Sequence, residues 1–174
     1  MRLGYHALRE MRMRLGILLV ASATLCAAFA SEALSADGAR GGGIQLDLPS
    51  GWSKVVPARP ERVDDPRTVL VIGTRGVEPI ETVCQVYSYR VPADGAAVVV
   101  IGWREAVGGS SFFPLGAMKL RRGTFECYPG RGAVGRVTRR DRDYQVNVMV
   151  GDRADQATVD AALAAARSIA PVTR

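Results

Sequence analysis

Residues 125–150 read FECYPGRGAVGRVTRRDRDYQVNVMV. Tyr144, Val146, Val148 and Val150 alternate with Gln145, Asn147 and Met149, the period of two that marks a strand with one apolar and one largely polar face. A half-buried strand is expected there. Residues 133–138 form a second extended run. The five charged residues at 139–143 lie between the two runs and are too polar to bury, so the stretch predicts a β-hairpin with an exposed, charged connection.

Outward from this hairpin, residues 68–73 (TVLVIG) and 96–103 (AAVVVIGW) are nearly continuous apolar runs. Such runs suit strands covered on both faces. Residues 44–48 (IQLDL) alternate, and Pro49-Ser50-Gly51 turns them toward Trp52 and residues 53–56, which predicts an entrance hairpin behind a flexible leader at 37–43. Trp52 is expected to close a core edge rather than stack on a ligand. Residues 57–66 (PARPERVDDP) form a polar, proline-broken connector, and residues 83–90 (VCQVYSYR) alternate without a clean face. The glycines at 73 and 76 lack the Lys and Ser/Thr of a phosphate loop.

Near the C-terminus, Val159, Ala162, Leu163, Ala166 and Ile169 recur at helical spacing between residues 154 and 170. Asp152 and Asp155 are available to cap this helix, and Pro171 stops it. The fold class is therefore α+β: a mostly antiparallel sheet of about five to seven strands, with one C-terminal helix packed on the face containing Val146 and Val148.

The first 36 residues are expected to be a signal peptide and leader, and residues 37–174 a single exported domain. Arg2, Arg9, Arg12 and Arg14 precede the apolar segment 15–30, which ends in Ala28-Phe29-Ala30, and these are the three parts of a secretory signal. Cleavage after Ala30 or Ala36 both fit, as do starts at Met11 or Met13. Left uncleaved, the segment is the chain's one route to a membrane, although it falls short of the roughly 20 apolar residues that span a bilayer. Leu25 beside Cys26 is too bulky for a lipid-attachment motif.

Processing changes what chemistry is available. Cleavage after Ala36 removes four arginines and two glutamates and lowers the net charge from +6 to +4. A mild charge on an exported protein argues against a nucleic-acid partner. His6, the sole histidine, leaves as well. Cys84 and Cys127 then remain as the two cysteines and are expected to pair in an oxidising compartment. They lie 43 residues apart, and closing such a loop stabilises by roughly 4 kcal/mol in the chain-entropy model. Two cysteines without histidine or CxxC spacing do not make a zinc site. No metal and no cofactor is expected.

Two surfaces are candidates for binding. Phe112 and Phe113 sit in a glycine-rich loop, where they either contact a partner or ligand or tuck under the loop to extend the core. Arg121, Arg136, Arg139 and Arg140 form a candidate basic strip, diluted by Glu126, Asp141 and Asp143, so that an ordinary solvated face is the competing reading. For an enzyme, acid–base work falls to carboxylates, Lys or Tyr. Glu78 with Glu81, Glu105 with Glu126, Asp141 with Asp143, or a dyad of Lys119 with Ser110 or Ser111 are the combinations available. The expectation is a non-catalytic binding or structural module at the cell envelope, with an unidentified envelope partner or small ligand. A small envelope hydrolase using paired carboxylates is the alternative.

The opening IQLDLPSGW, the turn at 91–96 running into an apolar strand, the Phe125-Glu126-Cys127-Tyr128 element and the arginine-rich turn before YQVNVMVG resemble a class of uncharacterised small exported α/β domains of GC-rich bacteria. More distantly, a Pro-x-Gly-Trp opening and a closing helix are similar to the Mog1/PsbP-like fold. The resemblance implies fold and export, and carries no catalytic residue to this chain.

Overall fold

Unbroken apolar runs occupy the centre of the fold, where both faces of a strand must be covered. In the computed structural model, which describes residues 38–60, 63–107, 113–125 and 128–173, chain order gives β1 (Ala39–Gly41), β2 (Ile44–Leu46), β3 (Ser53–Lys54), β4 (Arg67–Gly73), β5 (Glu78–Pro79) and β6 (Tyr89–Arg90). There follow β7 (Ala96–Gly102), a 3-10 turn at Leu115–Ala117, β8 (Arg121–Phe125), β9 (Tyr128–Arg139), β10 (Arg142–Val150), α1 (Gln156–Arg167) and β11 (Ala170–Pro171). Six strands form the main sheet in the order β3-β4-β7-β10-β9-β8. Every pairing within it is antiparallel. The architecture is α+β, with the single helix of the described residues near the C-terminus.

Both faces of the inner strands are buried. Leu70, Ile72, Val98, Val100, Val146 and Val148 face α1, which contributes Val159, Ala162, Ala165 and Ala166 to the same core. The alanines let the helix approach the sheet closely, and each fully buried Val, Leu or Ile supplies roughly 1.5–3 kcal/mol. Asp155 caps α1 by accepting a 2.8 Å hydrogen bond from the Thr158 amide. That hydrogen bond holds the Asp155 carboxyl below its ordinary pKa.

The opposite face carries Val71, Ala97, Val99, Ile101 and Met149, covered by Val55, Val77, Val86 and Tyr89 from irregular chain. This corrects the expectation for residues 144–150. Gln145, Asn147 and Met149 are buried, not solvated. The polar pair survives burial because it is hydrogen-bonded. Arg136 Nη2 donates to Gln145 Oε1 at 2.9 Å, and Gln145 Nε2 donates to Asn147 Oδ1 at 3.1 Å.

Three further expectations are corrected. The hairpin connection is not a five-residue charged loop but the two residues Arg140 and Asp141, both at positive φ (48° and 60°), the twist that a two-residue hairpin needs. Asp143 lies inside β10 and is buried, accepting from Thr138 Oγ1 at 2.5 Å and from the Val107 amide at 2.8 Å. The entrance hairpin is also rearranged: β2 pairs with β1 and β11, whereas β3 joins β4 in the main sheet. The stretch expected as a flexible leader thus contributes a strand. Gly42 and Gly43, at φ 59° and 84°, supply the turn between β1 and β2, and a Cβ on Gly42 would stand 2.5 Å from Val69 Cβ. Trp52 packs at the edge of the helix-side core, as expected.

Candidate functional site

β3 is too short to cover β4, and proline is the reason. Ser53 pairs with Gly73 and Lys54 with Ile72, and the Val55 amide still reaches Val71 O at 2.9 Å. Pro57 and Pro60 then have no N–H to offer a ladder, so the chain leaves the sheet. It returns through the cis Asp65-Pro66 peptide into Arg67. Between the departing segment and the start of β4 lies a cleft of about 400 Å³. Its body is apolar, from Pro57, Ala58, Pro60, Val63 and Val69, and its charged groups are Arg59, Asp64 and Arg67. β4 carries a bulge between Thr68 and Leu70 here, a device found beside binding sites.

The two walls are tied down from opposite cores. The Ala58 amide donates to the Tyr89 hydroxyl at 2.6 Å, and the Tyr144 hydroxyl donates to Gly42 O at 3.0 Å. Tyr89 belongs to the irregularly covered core and Tyr144 to the helix-side core. Burial pushes the Tyr89 phenol above its ordinary pKa, against a smaller opposing effect of the Ala58 amide and then the Thr68 hydroxyl. Thr68, whose Oγ1 is buried without a well-formed hydrogen bond, is among the residues that line the cleft.

A second, narrower cleft adjoins the first and shares Gly42, Arg67 and Val69 with it. Trp103, Arg104, Arg142 and Tyr144 complete it, in a volume of about 20 Å³, room for little more than one water. Arg67 stands between the two spaces. Among the described residues the ion pairs are Arg90–Glu78 at 2.7 Å and Arg122–Asp152 at 3.1 Å. Arg59, Arg67, Arg104 and Arg142 have neither an ion-pair nor a side-chain hydrogen-bond partner there.

The arginines singled out in the sequence do not form one strip. Arg136 and Arg139 project from opposite faces of β9, because three strand positions separate them. Arg136 is bonded to Gln145 and stacks 5.4 Å from the Trp103 ring centre. Arg139 donates to Thr138 O and, at 3.5 Å, to Ile169 O just beyond α1. Arg140 is exposed in the hairpin turn, and Arg121 is exposed on β8 across from Gly132. Phe113 is 51% exposed and does not tuck into the core, its carbonyl accepting from the Arg136 amide at 2.6 Å. Phe112 lies outside the described residues, as do Ser110 and Ser111.

Cys84 is disulfide-bonded, and Cys127 lies outside the described residues. Tyr87 and Tyr128, three and one residues from these cysteines, have ring centres 6.5 Å apart. Of the carboxylates considered for catalysis, Glu78 is paired with Arg90 and Asp143 is bonded inside β10. No group of three or more His, Cys, Asp or Glu residues converges as a metal site among the described residues. No helix of the described residues is long and apolar enough to cross a membrane.

The site that the sequence reading missed is the pair of adjoining clefts. Its arginines come from a connector, a strand start, a strand end and a hairpin, far apart in sequence. One signal was present, since Pro57 and Pro60 forbid the continuation of β3. Compared with known proteins, the chain matches no family model, no curated protein and no solved structure.

Proposed function

We propose that the chain is an exported, non-catalytic module that binds a small ligand in the cleft between residues 57–60 and the start of β4. The observation that carries this reading is the construction of the cleft. Two walls are held open by hydroxyls of two buried tyrosines that belong to different cores. A site held this way does not spend binding energy on ordering itself. The alternative of a carboxylate hydrolase is less well supported, because Asp64 is the one carboxylate among the described residues lining the cleft.

Export rests on the segment 1–36, and a disulfide at Cys84 fits an oxidising compartment. Pairing of Cys84 with Cys127 belongs to the same proposal. Its check is the intact mass and a non-reduced peptide map of the protein from its host. The expected result is a chain beginning at Ser31 or Asp37 with a Cys84–Cys127 cross-linked peptide. An unprocessed chain with a free Cys127 thiol contradicts it.

The ligand site is tested by amide NMR against a mixture of neutral and charged small organic probes. Saturable shifts at Gly42, Ala58, Val63 and Val69 are expected. Shifts that never saturate there, whatever the probe, count against the cleft as a binding site.

A further inference from the structure

We infer that the cleft takes a small organic monocarboxylate, with its carboxylate on Arg67 and its apolar body against the proline-rich wall. This rests on the proposed reading of the cleft as a ligand site and names its ligand class. Three observations carry it.

The first is charge. Arg59 and Arg67 lie on the cleft with no partner, and Asp64 is the one opposing charge among its described lining residues. Among the described residues lining this cleft the net is one positive charge, which suits an anion. The side chains of Arg104 and Arg142, which make no ion pair, line the adjoining cleft with Arg67 and raise the positive potential there, offset in part by the Asp65 carboxylate that accepts from the Arg104 amide at 3.1 Å. A guanidinium offers a carboxylate two parallel N–H donors, a geometry that an ammonium cannot reproduce.

The second is the shape and polarity of the remainder. Pro57, Ala58, Pro60, Val63 and Val69 give the cleft an apolar body, and its volume of about 400 Å³ is at the lower end for small-molecule sites. Inorganic phosphate would leave that body empty. A long anionic polymer would use the exposed arginines but not the apolar wall.

The third is rigidity. Ala58 and Gly42, one on each side, are fixed by Tyr89 and Tyr144. Arg67 opens β4, where it sits across from Gly102, so its backbone is fixed by the sheet. The apolar wall and the backbone that carries Arg67 are therefore held in register before any ligand arrives.

The test uses benzoate, its neutral isostere benzamide, and inorganic phosphate, titrated into the protein while the amides of Ala58, Arg67, Thr68 and Val69 are followed by NMR. Benzoate is expected to saturate these shifts, with benzamide and phosphate each at least tenfold weaker. Arg67→Gln should weaken benzoate at least tenfold. Arg67→Lys should recover part of that loss, because it keeps the charge but not the fork. Arg153→Gln, on the exposed turn before α1, should leave benzoate binding unchanged. Because Arg67 is exposed, both Arg67 variants should keep the wild-type denaturation midpoint, so a loss of binding is not a loss of fold. Benzamide binding as tightly as benzoate would overturn the carboxylate assignment and leave the ligand-binding reading standing. Phosphate binding more tightly than benzoate would overturn the monocarboxylate in favour of a small polyanion. No saturable shift with any of the three overturns the inference and the ligand-binding reading together.

Discussion

On one face of the sheet a helix lays Val159, Ala162, Ala165 and Ala166 against Leu70, Ile72, Val98 and Val100. On the other, the cover is a segment with only two short strands, β5 and β6, held in part by polar ties. Ser88 Oγ donates to Cys84 O, Gln85 Nε2 to Pro66 O, and the Ile80 amide to Ser88 O, with the disulfide at Cys84 in the same segment. A helix brings its own backbone hydrogen bonds and needs only apolar contact to dock. Irregular chain must find a partner for each backbone group it buries, so it is held by hydroxyls and amides as well as by the buried side chains of Val77, Val86 and Tyr89. The cleft lies where the two regimes meet, one wall tied by Tyr144 from the first core and the other by Tyr89 from the second.

Reduction of the disulfide should separate the two covers most sharply. If Cys84 pairs with Cys127 as proposed, reduction should lower global stability by about 2–5 kcal/mol and speed amide exchange in residues 77–91 before it affects α1. Denaturation with and without reductant, read alongside exchange, measures both. An unchanged midpoint would mean that the irregular cover does not depend on its cross-link.

Val98 and Val99 offer a matched pair, since they are neighbours on β7, both fully buried, and face opposite cores. Val98→Ala should cost about 2–3 kcal/mol. Val99→Ala should cost about 1–2 kcal/mol, because irregular chain collapses into a cavity more readily than a helix docked on a sheet. Equal costs would show that the two covers are equally rigid.

Tyr89→Phe and Tyr144→Phe remove one tie from each wall. Each should cost about 1 kcal/mol and loosen only its own side, Ala58 for Tyr89 and Gly42 for Tyr144. There is a pH signature as well. The Tyr89 phenol is raised by burial, so the unfolded chain ionises first, near pH 10. Its contribution to stability is therefore full below that pH and is lost as pH rises through the higher folded value. Tyr128, also raised by burial, acts in the same direction, so Tyr89→Phe should reduce the alkaline loss without abolishing it.

The smallest expected effect is at the helix cap. Asp155 has a depressed pKa, so its stabilisation is present above the unfolded value, about 3.9, and disappears as pH falls through the folded one. Asp155→Ala should lower the melting temperature at pH 6 and approach the wild type as pH drops below about 4. A gap between the two that stays constant down to acid would remove the cap from the account of α1.

The helix, the inner strands and the antiparallel hairpin were legible because each follows from local hydrophobic period. Val146 and Val148 do face α1. The reading failed where pairing partners decide burial. Gln145 and Asn147 look solvent-facing until Arg136, directly across from Gln145 in the register, donates to Gln145, which in turn donates to Asn147. Asp143 looks like loop until Thr138 and Val107 satisfy it. The Gly42-Gly43 turn was present in the sequence but hidden in a glycine run that reads as a leader. For the cleft, no local pattern joins Arg59, Arg67, Arg104 and Arg142. Strand order and register bring them together, and neither is a property of any one segment.

The most direct measurement of the pre-built cleft is the hydrogen-exchange rate of the Ala58 amide in the protein without ligand. Ala58 follows a proline, in a segment with no strand partner, and its amide is held by the Tyr89 hydroxyl. A protected amide that loses its protection in Tyr89→Phe, while α1 exchanges as before, is the predicted result. An Ala58 amide that exchanges as fast as an unstructured one in the wild-type protein would contradict it, and with it the claim that the cleft exists before its ligand.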